Sequence, residues 1–197
     1  MTYGPRQRRG LAVAVVLAAL AAKLGRVLWI PRRGPVVHTV HAQDVAQAAL
    51  RVAEAGAAAH DGRAFNVADD VPLPLEELSQ ALIAATGARG VRLPYSPRPA
   101  RWLLSLLGGM PNWIFWGPLN RRLARAWVRV FAGQPKVPPP QLGPDLLEQF
   151  SADRYFDTSR LRALGFVPRF PSAVEGLRLL VLESRAHGLL PGPSEGE

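Results

Sequence analysis

Cysteine is absent from the 197 residues, and lysine nearly so, with two against 22 arginines. No cysteine means no disulfide framework, no thiolate zinc or iron–sulfur site and no cysteine nucleophile. Histidine is scarce as well. The four, at 38, 41, 60 and 187, form no His-Glu-x-x-His pattern and have no carboxylates clustered at ligand spacing, which argues against a dedicated metal site. Acids are missing from two long stretches. Residues 1–43 carry seven basic side chains and residues 78–144 carry nine, neither with a single Asp or Glu. The remainder sums to −7, so the net charge of +9 belongs to those two stretches. Such a field attracts anions: nucleotide phosphates, acidic lipid or nucleic acid. A compositional bias toward Arg would leave the same charge as no more than a solvated face.

No apolar run is long enough to span a bilayer. Leu11 to Ala22 is twelve apolar residues, roughly 18 Å of helix against a hydrocarbon core of about 30 Å. With Arg8 and Arg9 before it and small residues near its end, it resembles a cleavable secretion signal; a buried helix is the alternative. At 48% apolar residues and a mean hydropathy of +0.04, the chain can bury one domain's core and is no disordered tail.

Periodicity and punctuation sketch the elements. After a helix stop at Gly25, residues 27–30 are β-prone, and Val36 to Val40 reads as a strand leading into a helix, Val45 to Ala55, with Asp44 as its N-cap and Gly56 after it. Arg63 to Val67 is a strand candidate. Pro74 opens a helix over Leu75 to Ala85, stopped by Gly87, and Val91 to Pro94 is a further strand. Residues 97–132 are unusually apolar, with four of the five Trp between 102 and 127. Within them Leu119 to Phe131 forms an amphipathic helix, Leu123 and Trp127 on one side and Arg121, Arg122, Arg125 and Arg129 on the other. A proline-rich connector, 135–144, leads to a short helix near 144–150, a strand candidate 154–156, a helix over Thr158 to Leu164 capped by Asp157, and a last helix over Pro171 to His187. Residues 1–190 form the folded unit and 191–197 a disordered tail.

Three nucleotide and catalytic signatures are missing. No strand-to-helix turn carries glycines at the spacing that lets backbone approach a pyrophosphate, and neither lysine follows a glycine as in a P-loop. Tyr3, Tyr95 and Tyr155 are followed four residues later by Gln7, Pro99 and Ser159, so no Tyr-x-x-x-Lys acid/base pair exists.

Four segments, in order, nonetheless resemble one family. Tyr3-Gly4-Pro5-Arg6-Gln7 is similar to the Tyr-Gly-Pro loop of extended short-chain dehydrogenases, the NAD-dependent epimerase/dehydratase group. Val40-His41-Ala42-Gln43-Asp44-Val45-Ala46 resembles its His-Val-x-Asp-Val-Ala strand-to-helix junction. Gly62-Arg63-Ala64-Phe65-Asn66-Val67, followed by Glu76-Glu77-Leu78, looks like its Gly-x-x-Tyr-Asn-Val strand and the helix after it. Asp157-Thr158-Ser159-Arg160, Leu164 to Pro168 and Val174-Glu175-Gly176-Leu177 look like its closing motifs. The apolar stretch before Pro138-Pro139-Pro140 further resembles the 3β-hydroxysteroid dehydrogenase branch.

The resemblance implies an α/β fold: the C-terminal substrate-binding lobe, mostly helical with a few short strands, without the N-terminal Rossmann half. It implies NAD or NADP as the cofactor of the intact family, with none expected to bind this chain alone, and no turnover by this chain, which lacks the catalytic pair. It makes Leu11 to Ala22 the helix after the loop, and the strand at 63–67 an orphaned sheet edge. Substrate-binding positions carried over are Tyr3, Pro5, Arg6, His41 and Asn66, facing a small, apolar, sterol- or isoprenoid-like molecule. His41, at a strand end, reads rather as a hydrogen-bonded structural residue, and Asn66 either points into the site or satisfies backbone groups of the neighbouring turn. The Trp-rich stretch 102–131 is either core and pocket wall or a peripheral membrane contact of a cytoplasmic protein. A nucleic-acid partner is not expected, because no recognition module accompanies the charge.

Overall fold

The computed structural model describes residues 2–4, 10–56, 62–131, 138–144 and 152–192. The chain opens with β1 (Thr2–Tyr3) and α1 (Leu11–Lys23), followed by β2 (Val27–Arg32), β3 (Val36–Val37) and β4 (Val40–His41). Then come α2 (Ala42–Glu54), β5 (Leu73–Pro74), α3 (Leu75–Thr86), β6 (Arg89–Pro94), α4 (Pro97–Gly108) and α5 (Trp116–Val130). Two helices close it, α6 (Ser159–Ala163) and α7 (Ala173–Ala186). Among the described residues the strands form three two-stranded ladders. β1–β4 and β2–β6 are parallel and β3–β5 is antiparallel.

α1 is apolar around its whole circumference, so it is a core element. Leu11, Val15, Ala18 and Ala19 meet Leu78 and Leu82 of α3 and Ala173, Leu177, Leu180 and Val181 of α7. The buried positions of α7 recur at three- and four-residue spacing, which is what a helix with one buried stripe requires. Arg185 of α7 donates to the Thr86 carbonyl at 2.8 Å and so satisfies a C-terminal carbonyl of α3. At the other end of α3, Glu76 accepts from the Arg33 backbone N–H at 3.1 Å and pairs with Arg92 of β6 at 3.4 Å, tying both long strands to this helix. A second, smaller cluster joins Ala48 of α2 to Leu161 and Phe166, with Phe65 and Val67 against it.

Several expectations need correcting. Residues 63–67 are not a strand. Their backbone is held by side chains instead: Arg160 donates to the Ala64 carbonyl at 2.9 Å, and the rings and methyls of Phe65 and Val67 serve the small cluster. Residues 154–156 are not a strand either; they run beside β3 through single bonds, Arg154 N–H to the Val36 carbonyl and Phe156 N–H to His38 Nδ1, without a ladder. The strand expected over 36–40 divides into β3 and β4, which pair with different partners. α2 starts three residues early because the His41 ring, not Asp44, caps it. α5 likewise begins a turn early, at Trp116. Pro191 is buried, although the tail was expected to begin there; residues 193–197 and most of the helix expected near 144–150 lie outside the described residues.

Candidate functional site

Tyr3 and His41 are register partners in β1–β4, and both are fully buried. Their rings meet edge to face with centroids 5.2 Å apart, and Phe170 lies tilted against His41 at 4.4 Å. Two glycines make this approach possible. A Cβ on Gly4 would sit 2.6 Å from the Ala42 Cβ, so only glycine lets β1 end against the first turn of α2. A Cβ on Gly176 would overlap the Tyr3 hydroxyl and lie 2.7 Å from its ring, so α7 has glycine where the phenol arrives.

His41 Nδ1 accepts from the Gln43 backbone N–H at 3.2 Å, so in the neutral ring Nε2 carries the proton. That Nε2, the Tyr3 hydroxyl and Asp69 Oδ1 are buried polar atoms without a hydrogen-bond partner. The other Asp69 oxygen accepts from Thr39 Oγ1 at 2.5 Å, and the Asp69 backbone N–H donates to the Thr39 carbonyl at 2.8 Å. His38, also buried, bonds the Asp69 carbonyl through Nε2 at 2.7 Å. Asp44, 1% exposed, accepts from the backbone N–H groups of Arg169 at 2.8 Å and Phe170 at 3.2 Å, which pins Phe170 over His41.

Burial sets the charge states. It pushes the Asp69 carboxyl up to about 6, opposed by the Thr39 hydroxyl and assisted by Asp44. It raises the Tyr3 phenol far above its ordinary range, with Asp69, Asp44 and Glu175 adding to the effect. It lowers His41, against the pull of Asp44 and Glu183. The cluster therefore favours neutral groups: a phenol, an imidazole with a free N–H, and a carboxyl that takes a proton readily. The three unpartnered atoms are thus a donor, an acceptor and a hydroxyl able to do either.

Among the described residues, no three His, Cys, Asp or Glu converge on a point where a metal could sit. The strand-to-helix turn from β4 into α2 is closed by the His41 ring and by the Gly4–Ala42 contact, leaving no glycine-lined approach for a pyrophosphate.

Of the residues singled out from sequence, Tyr3 and His41 come together. Asn66 stands apart: it is exposed, and its Nδ2 donates to the Asp157 carbonyl at 3.0 Å. Pro5 and Arg6 lie outside the described residues. Sequence reasoning missed Asp69, Thr39 and the spatial role of Gly176. The signal for Asp69 was two consecutive acids directly behind the apolar pair Val67-Ala68, and for Gly176 a glycine in mid-helix where Ala would be favoured by about 1 kcal/mol.

No protein-family model and no curated protein matches the sequence. Solved structures do match the fold. The protein gox2253 superposes with a TM-score of 0.56 at 16% identity, over 96% of this chain and 48% of its own. RMD from Pseudomonas aeruginosa, solved with NADPH, gives 0.52 at 14% identity over 94% and 45%. UDP-glucose 4-epimerase from Thermotoga maritima, solved with UDP-glucose, gives 0.51 at 19% identity over 94% and 44%. The chain thus spans less than half the length of these three structures, and what it shares with them is the fold of that part.

Proposed function

We propose that this chain is the C-terminal substrate-binding lobe of an NAD(P)-dependent oxidoreductase or epimerase acting on a hydroxyl or keto group. The observation that carries the reading is the match of more than nine-tenths of the chain to less than half of proteins solved with NADPH or UDP-glucose, in a sequence that has no glycine fingerprint. The nucleotide and the catalytic tyrosine then belong to a separate glycine-rich unit, and bound NAD(P) supplies hydride transfer there. This chain contributes position. Tyr3 and His41 hold the β1–β4 junction, Asp44 fixes the 169–170 segment over it, and Asp69 offers an acceptor beside them. The sequence likeness to the 3β-hydroxysteroid dehydrogenase branch favours an apolar, sterol- or isoprenoid-like substrate.

The test joins genetics to binding. If the reading frame upstream of the Met1 codon encodes a glycine-rich strand–helix unit with Tyr-x-x-x-Lys shortly before Tyr3, the extended chain should quench and bind NADH, and the 197-residue chain should not. Saturable NADH binding by the 197-residue chain alone would overturn the reading, as would an in-frame stop codon directly upstream. A second reading, a nonenzymatic surface-binding or regulatory module, is favoured by the exposed apolar stripe on α4.

A further inference from the structure

Helix α4 is apolar on its outer side as well as its inner one, where Ala100, Leu104 and Leu107 are half-buried. Its solvent-facing stripe, recurring at three- and four-residue spacing, is Pro99, Trp102, Leu103 and Leu106, while none of its described side chains is fully buried. Trp102 is 68% exposed and, in the turn that follows, Trp113 is 77% exposed beside Ile114 at 51%. A surface helix normally turns such residues inward. The stripe is not loose packing of an unanchored segment, because Trp116 Nε1 donates to the Leu107 carbonyl at 3.2 Å and joins the end of α4 to the start of α5. α5 itself is conventional: Leu123 and Trp127 are buried, and Arg121, Arg122, Arg125 and Arg129 are exposed. Among the described residues, no acid pairs with any of these four arginines.

We infer that α4, the 109–115 turn and the arginine face of α5 form a docking surface for an anionic lipid bilayer. Charge complementarity and the depth each side chain can reach both favour a bilayer. Residues 78–144 hold nine basic side chains and no acid, which suits an extended surface of one sign rather than the mosaic of both signs found on a protein partner. Exposed Trp and Leu enter to the level of the headgroups and upper acyl chains, where indole is favoured, while Arg stays with the phosphates. No helix among the described residues is long and apolar enough to cross a membrane, so the contact lies along the surface. This inference does not depend on the enzymatic reading and survives its failure.

The whole chain should co-sediment with phosphatidylcholine vesicles containing phosphatidylglycerol at low salt, with a blue shift in Trp emission, and should be released by salt. The paired substitution Trp102→Ser with Trp113→Ser, at positions that support no core, should abolish the blue shift and weaken partitioning about ten-fold or more. Arg121, Arg122, Arg125 and Arg129 changed together to Gln should weaken it by about as much and remove the preference for anionic lipid. Circular dichroism verifies that each variant is folded; if one is not, the salt titration and the phosphatidylcholine-only control on the parent chain still decide. Absence of binding at low salt, or equal binding to neutral vesicles, overturns the inference. So does a Trp variant that converts a dimer to a monomer in sedimentation velocity while leaving vesicle binding unchanged, which would assign the stripe to a second copy of the chain.

Discussion

Asp69 is an acid at a position where the fold prefers a neutral group. Its carboxyl is pushed from 3.8 up to about 6, so between those values the folded chain holds a proton that the unfolded chain has lost, and stability falls as pH rises through that window. His41 works in the opposite sense. Its pKa is lowered, so the unfolded chain takes up the proton first as pH falls below the ordinary histidine range, and stability rises with pH there. Comparing Asp69→Asn with the parent removes the His41 contribution, because both chains carry it. The Asn oxygen still accepts from Thr39. We expect the variant to gain up to about 3 kcal/mol on the parent between pH 4 and pH 7 in urea unfolding, and to gain nothing further above that. A difference that is flat across the range would show that Asp69 titrates normally. The Tyr3 hydroxyl, buried without a partner, invites a similar comparison: Tyr3→Phe should leave stability unchanged or raise it by up to about 1 kcal/mol, where loss of a bonded tyrosine hydroxyl would lower it. A thermal denaturation midpoint lower than the parent's would point to a water that satisfies the phenol.

Between elements, the tightest fit is α7 against β1. Gly176→Ala should gain helix propensity, about 1 kcal/mol, yet lose more through the overlap with the Tyr3 ring, giving a net loss of about 1–3 kcal/mol. In a Tyr3→Ala background the overlap is gone and the same substitution should be neutral or stabilising. Equal losses in both backgrounds would mean that α7 can shift to make room. This contact also marks where sequence stopped being legible. α1, α3, α5, α6 and α7 were visible in apolar spacing, in Gly87 and Gly165, and in the arginine side of α5, since each signal lies within a few turns of chain. The strands at 63–67 and 154–156 were misread because β-propensity says nothing of whether a partner strand is there. At 63–67 the Arg160 side chain holds the Ala64 carbonyl and the Asn66 side chain donates to the Asp157 carbonyl, and at 154–156 the bonds to β3 and His38 are too few for a ladder. Tyr3 and His41 were found through a resemblance, not a pattern; their approach depends on two glycines whose neighbours lie far away in the chain. Asp69 escaped because its environment is assembled from β4, α2 and the 169–170 segment.

For the molecule as a whole, charge and composition mark the basic stretches, but only the fold separates the outward-facing Trp102 and Trp113 from the buried Trp116 and Trp127. The two parallel ladders carry a different consequence. Val27 pairs with Arg89 and Arg32 with Pro94, so the β2–β6 register closes a loop of about 60 residues, at an entropic cost of about 4 kcal/mol before any contact forms. Helix formation in α1, α2 and α3 needs no such closure. Folding should therefore be ordered in time, helix formation first and the long-range contacts after it, the β2–β6 ladder and the α1–α3 packing across a loop of similar length. Pulse-labelling hydrogen exchange during refolding should show α1 and α3 amides protected in an earlier phase than those of Leu28 to Ile30 and Val91 to Leu93. Simultaneous protection would place the ladder in the nucleus. If the ladder is indeed late, the interval before it closes leaves the edges of β2 and β6, with Trp29 and Val91, open to neighbouring chains. The yield of refolding should then fall with protein concentration, even where the finished fold is stable.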